Sequence, residues 1–406
     1  MPRVQRLLFI GQHCPPLRVD AYRDALQTVV HATRHVALYL DTHARLNAAL
    51  AAAGMLEVPA DAAWVAATAD AVRHTSERLE TALRQSRSNL LKEQIRLAQL
   101  ALGDHAWQCG ELQTAAKCYA RSRDYGSTNQ HVLERGLREM ALALETRNLH
   151  LMNTTLATLQ ALLPASGTMT TAPTALDVGV YVRACRAVMD LHDQRYADVA
   201  RGLLKLPFPG VHHAAAVLLP HEILWQTVLC GLATLSRAEL KALLIEFAPY
   251  LDLDGRARDA VQALLDGAYD VLFAALASAE PDCLLDMRLH RAVPTLVAAV
   301  RQRALVQYTR PFVSLRLDAM AAKLGLPVDD LERDVCALIA QGLIPMVVDS
   351  YAGVLYAKPA DQRSRVLQKT LDQADDYVQT VHTMLLRMSL GQSGLAVQSS
   401  RDHDVW

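Results

Sequence analysis

Aromatic residues are scarce in this sequence, 5% of 406 positions, although hydrophobic residues make up 51%. Ala, Leu and Val must therefore supply the apolar surface. Ala and Leu are strong helix formers, suited to close helix–helix packing rather than to a sheet. Apolar runs are short too: none approaches the ~18 residues that a membrane-crossing helix needs. No charge of one sign dominates, since 41 Lys and Arg face 42 Asp and Glu. That balance is a poor footprint for a chain held to nucleic acid by phosphate neutralisation. CxxC pairs are missing among seven cysteines: Cys14, Cys109, Cys118, Cys185, Cys230, Cys283 and Cys336. An odd number at wide spacing reads as free thiols in a reducing compartment, so a soluble intracellular protein is expected. Arginines near the start flank only a short apolar run at 7–10, too short for a secretory signal, and Pro15-Pro16 follows.

Signatures of catalysis are likewise lacking. HATRH at His31–His35 has two histidines at the spacing of one helical face, but Ala32 stands where a zinc protease needs its Glu. His212, His213, His221 and Glu222 form the other close cluster, and a structural role is the expected one. There is no Gly-rich phosphate loop and no nucleophile elbow, and the GQSG string near the end lacks the required spacing. Also absent is the E…HxH…SxxD set of metal isopeptidases that cut ubiquitin-like modifiers. No catalytic, cofactor-binding or metal-binding residue is therefore assigned.

What the sequence does contain is helix pairs. Residues 20–52 and 62–99 carry helical patterns. LGDHAWQCGELQTAAKCYARSRDY, Leu102–Tyr125, reads as a tetratricopeptide-like pair. Small residues at Gly103, Ala106 and Ala115 allow close approach, Gly110 turns the chain, and Ala116, Tyr119 and Ala120 share a face. One such pair cannot bury its own apolar faces and demands stacked neighbours. Segments 130–145, 148–163, 176–191, 195–206, 215–233, 237–249 and 256–278 supply them, with a flexible break expected near Pro164–Pro173. The repeat is degenerate.

A different order begins at Pro294, which opens a helix to Tyr308. PFVSL then reads as a short strand, 315–324 and 328–341 as helices, and 343–349 with 354–357 as a hairpin. Helix, strand, two helices and a two-stranded wing is the order of a winged helix. Its second helix carries Asp329, Asp330, Glu332 and Asp334 against a lone Arg333, which would repel a phosphate backbone. A protein-binding role is therefore expected, with Val354, Leu355 and Tyr356 as an exposed wing edge open to another chain's strand. Arg301, Arg303 and Arg310 form a modest basic stripe on the preceding helix, for which solvation or internal pairing is the ordinary explanation.

The last helical pattern spans Asp361–Leu390. Leu367, Leu371, Ala374, Val378, Val381, Leu385 and Met388 alternate four and three apart, a heptad seam that must pack on something. The polar tail that follows is expected to be disordered. The expected fold is thus all-α with a small α/β tail. Its parts are an N-terminal helical region at 1–100, a solenoid at 101–293 and a winged helix at 294–360. A bundle helix at 361–390 and a tail at 391–406 complete it.

Helical repeats, a winged helix and a terminal helix in that order resemble the PCI family. That family is shared by the proteasome lid, the COP-nine signalosome and translation initiation factor three. Six strings resemble the subunit-one branch of the signalosome in particular. They are RLLFIGQHCPPLRVDA (6–21), DAAWVAAT (61–68), the LGDHAWQC…RSRDY segment, DCLLDMRL (282–289), RQRALVQYTRPFVS (301–314) and LYAKPADQRS (355–364). They span nearly the whole chain, although such relatives usually carry more residues ahead of the first. The resemblance implies a non-catalytic scaffold in the complex that removes the ubiquitin-like Nedd-eight from cullins, with catalysis on another, metal-bearing subunit. It implies other signalosome subunits as partners, reached through the winged helix and terminal helix, and cullin–RING ligases through the complex. Residence in cytoplasm and nucleus, with no membrane or nucleic-acid partner, is expected. A proteasome lid subunit is the alternative in the same class, and a nucleic-acid-binding winged helix the alternative in another.

Overall fold

The computed structural model describes residues 2–162, 173–208, 214–358 and 362–394. His212, His213, most of the 164–173 break and the tail from 395 lie outside them. The chain opens with a helix, Pro2–His13, followed by Arg18–Ala32 and Val36–Ala52. His31 lies in the second of these helices, while His35 caps the third, its Nδ1 accepting from Leu38 N–H at 3.2 Å. The chain is extended at Thr33, so the two histidines of HATRH do not share a helical face.

Helix pairing in the Leu102–Tyr125 segment rests on two glycines. Gly110 turns the chain at φ +86° between Lys92–Gln108 and Leu112–Ser122, with the His35 ring packed where a Cβ would stand. A Cβ on Gly103 would fall 2.5 Å from the Tyr119 ring, so only Gly lets the two helices meet at that distance. The buried face of the second helix is Ala115, Cys118, Tyr119 and Ser122. Ala120 faces solvent, so that face is rotated from the Ala116–Tyr119–Ala120 stripe expected from spacing. The Tyr119 hydroxyl donates to Asp104 at 2.8 Å, and Arg138 on the next helix, Asn129–Thr146, donates to the same carboxylate at 3.0 Å. This pair is thereby tied to its neighbour.

Stacked helices continue as Leu149–Leu162, Pro173–His192, Tyr196–Leu204, Pro220–Thr234 and Arg237–Glu246. The expected single helix over 256–278 is two, Gly255–Asp266 and Tyr269–Leu284, because Gly267 ends the first at φ +79°. Val293–Thr309 then packs on the Pro220–Thr234 and Tyr269–Leu284 helices. Strand β1 (Ser314–Arg316), the helices Leu317–Leu324 and Val328–Ala340, and strands β2 (Met346–Asp349) and β3 (Val354–Ala357) form a winged helix.

The core does not divide at residue 294. One continuous cluster of buried side chains runs from Met140 through Trp225 and Leu305 to Leu331 and Leu355, joining the later solenoid to the winged helix. Before Met140 the buried residues fall into smaller groups, one of them around Tyr119 and another around Tyr22 and Leu46. No helix among the described residues is long and apolar enough to cross a membrane.

Candidate functional site

The wing is where the structure corrects the sequence most. The sheet order is β1-β3-β2, so β3 lies in the middle. Leu355 pairs with Leu315 on one side and Val348 on the other, and it is fully buried. Val354 and Tyr356 are likewise flanked on both sides. The residues expected at the wing edge therefore cannot accept another chain's strand, because both sides of their backbone are already paired. Sequence marks 354–357 as a strand but does not show that β1, some forty residues earlier, returns to close its far side. The free edges belong to β2, where Val347 is 49% exposed, and to β1, beside which Val313 is 78% exposed.

The terminal helix, Gln362–Gln392, is 31 residues long, about 45 Å at 1.5 Å per residue. Leu367, Leu371, Val378, Leu385 and Met388 are each at least half exposed, and only Val381 is partly covered. Burying such a side chain is worth about 1.5–3 kcal/mol. Tyr377 and Met384, 71% and 58% exposed, were not singled out by the seam. With Leu371, Val378 and Leu385 at heptad a and the other seam residues at d, these two fall at g. The apolar stripe therefore widens beyond a and d, the pattern of a helix touching more than one neighbour. The signal was in the sequence, in the seven-residue spacing of Tyr377 and Met384.

Three of the four acidic residues of the Val328–Ala340 helix are bound up internally. Asp334 pairs with Arg301 at 2.6 Å, Asp330 with Arg333, and Glu332 accepts from the Ser350 hydroxyl. No base-reading set is present on this helix. The other candidate cluster separates: His221 approaches Asp254 at 3.7 Å, whereas Glu222 receives both Nε and Nη2 of Arg6 at 2.7 and 2.8 Å. Arg6 also donates to the Val217 carbonyl at 3.0 Å. Burial pushes the Glu222 carboxyl above its usual range, Asp286 adds to that, and Arg6 draws it back. This pair fastens the first helix to the middle of the solenoid. No group of three or more His, Cys, Asp or Glu among the described residues is arranged to hold a metal ion. Burial raises the Cys185 and Cys230 thiols to about 12, which suits inert core cysteines.

A helical solenoid sharing one core with a winged helix, and ending in an unpartnered amphipathic helix, defines a PCI-type assembly protein. The PCI domain model matches residues 276–359, and that of 26S proteasome subunit RPN7 matches 61–243. The chain is 30% identical to COP9 signalosome complex subunit 1 of Arabidopsis thaliana, over 98% of this chain and 89% of that protein. It is 28% identical to subunit 1b of Drosophila melanogaster, over 98% and 84%. A 26S proteasome non-ATPase regulatory subunit 6 homolog of Arabidopsis is 26% identical over 39% of this chain and 42% of its own length. The chain belongs to the COP9 signalosome subunit 1 family.

Proposed function

We propose that this protein is a non-catalytic scaffold subunit of a COP9 signalosome, held there by its terminal helix and by the open β2 edge of its wing. The observation that carries this reading is the 31-residue helix whose heptad seam is left exposed by its own chain. Likeness to signalosome subunits along 98% of the chain supports the choice of assembly. Through that assembly the protein acts on cullin–RING ligases in cytoplasm and nucleus, while removal of Nedd-eight is the work of another, metal-bearing subunit. Lid membership is the second reading, favoured by the RPN7 match over 61–243.

One experiment addresses both readings. Leu371→Asp combined with Leu385→Asp should leave the isolated chain folded, because both side chains already face water, yet prevent co-purification of the other subunits. Mass spectrometry of the unmutated protein's partners should find a cullin deneddylase. Recovery of proteasome base and lid subunits instead, or normal incorporation of the double variant, would refute the proposal.

A further inference from the structure

Three arginines of this chain meet in one surface cleft without an acidic counterpart. The cleft has a volume of about 760 Å³ and is lined by Arg237, Arg303 and Arg310 together with Gln302, Gln307 and Tyr269. It lies where the Pro220–Thr234 and Val293–Thr309 helices meet the start of Arg237–Glu246 and the approach to the wing at Leu343. Most of its polar lining comes from the RQRALVQYTRP string.

Arg301, on the same helix, shows how a neutralised guanidinium looks here: it reaches Asp334 at 2.6 Å. The three cleft arginines differ. Arg303 donates to the backbone carbonyls of Leu232, at 2.8 Å, and Leu235. Arg237 donates to the Leu265 carbonyl. Arg310 makes no hydrogen bond or ion pair with any described residue. Carbonyl dipoles aim a guanidinium but do not cancel its charge. Burial accordingly draws the Arg303 pKa below its usual value, with no carboxylate to offset it. Three positive charges thus converge on one concave space, two of them oriented by the fold. Gathering them without a counter-charge is unfavourable, and an anion in the cleft would relieve it.

We propose that this cleft binds a small, multiply charged oxyanion of the polyphosphate class. Guanidinium forks match phosphate oxygens two at a time, and the side-chain amides of Gln302 and Gln307 add uncharged donors. The volume falls within the ~300–1,000 Å³ usual for small-molecule sites. Ala233 and Ala299, both small, leave its wall open. The three guanidinium groups come from the start of one helix and from within and just past another, and they meet at one concave space instead of lining up along a single face. A free phosphorylated molecule therefore fits better than an acidic helix of a partner. The proposal uses no residue of the terminal seam or of β2, so it stands or falls independently of the assembly reading.

Calorimetric titration of the full chain in low-salt buffer tests it, with tripolyphosphate, orthophosphate and an oligoglutamate peptide as probes. Tripolyphosphate should bind saturably, about tenfold or more tighter than orthophosphate, and weaken as salt is added. Arg310→Gln should weaken it about tenfold with no change in the unfolding temperature of the free protein, since that side chain holds nothing in the fold. Arg333→Gln, on a different face, should leave binding unchanged. Absence of saturable tripolyphosphate binding, or equal losses in both variants, overturns the proposal. Binding of oligoglutamate alone would overturn it as well and assign the cleft to an acidic protein segment.

Discussion

Two apolar helices of this chain meet opposite fates. In Pro220–Thr234, every residue from Ile223 to Leu232 is buried. In Gln362–Gln392, leucines, valines and methionines stand in water. The first is apolar all round, so the chain encloses it with the Tyr196–Leu204, Gly255–Asp266 and Val293–Thr309 helices. The second gathers most of its apolar residues in a stripe, with Asp372, Asp375 and Asp376 off it, although Val366, Leu386 and Leu390 also stand outside that stripe. A helix with one charged face can bury only its apolar stripe, and here the rest of the chain leaves that stripe exposed. Distribution around the helix sets how much of it can be buried, and the exposure of the terminal stripe marks where this chain gives it no cover.

The largest effect should come from breaking the enclosed helix. Trp225 is 2% exposed and its Nε1–H reaches Asp254 at 3.2 Å. Trp225→Ala should cost about 3–5 kcal/mol, because a cavity replaces the ring. Leu385→Ala in the terminal helix should change the isolated chain's stability by less than about 0.5 kcal/mol. Urea unfolding of the two variants measures the contrast. Similar losses would show that the terminal helix is packed in solution after all.

A smaller effect should follow at the tie between the first helix and the solenoid. Arg6 and Glu222 are 15% and 12% exposed, so removing one partner strands a largely buried charge. Arg6→Ala should cost about 3 kcal/mol. Hydrogen exchange should place the loss in residues 2–13, with Pro220–Thr234 still protected. Uniform deprotection would mean that the first helix is part of the main cooperative unit, not a strap across it.

This tie also marks the limit of what the sequence shows. Local patterns carried far: the Gly103–Tyr119 contact, the Gly110 turn and the heptad seam each depend on residues close in the chain. Arg6 and Glu222 are 216 positions apart, and neither lies in a pattern that names the other. The wing failed for the same reason. The alternation at 354–357 identifies a strand, but its neighbours are set by where β1 returns, which periodicity does not encode. Basic residues of the Val293–Thr309 helix looked alike in sequence. The structure divides them, giving Arg301 a carboxylate and leaving Arg303 and Arg310 on a cleft. Side chains whose partners lie in the same helix or the same helix pair could be read; those whose partners come from another repeat could not.

The smallest effect concerns how the chain leaves its enclosed helix. Ser236 caps the next helix, with Glu239 N–H donating to its hydroxyl at 3.3 Å and its own N–H donating to the Glu239 carboxylate at 2.8 Å. Arg201 donates to the same carboxylate at 2.8 Å. Arg201 first, then the Ser236 backbone and hydroxyl, hold the Glu239 carboxyl down at about 2, against an ordinary value of 4.5. A carboxyl depressed by folding contributes stability above its unfolded value and loses it as pH falls through the folded one. Wild-type stability should therefore fall between pH 4.5 and about 2 more steeply than that of Glu239→Gln. The difference between the two should be complete at neutral pH and vanish at the acid end. The group is open to solvent, so added salt should shrink the difference. Parallel pH profiles would mean that this capping box contributes nothing. The turn after the enclosed helix would then be fixed by Leu235 and Leu240 in the core alone.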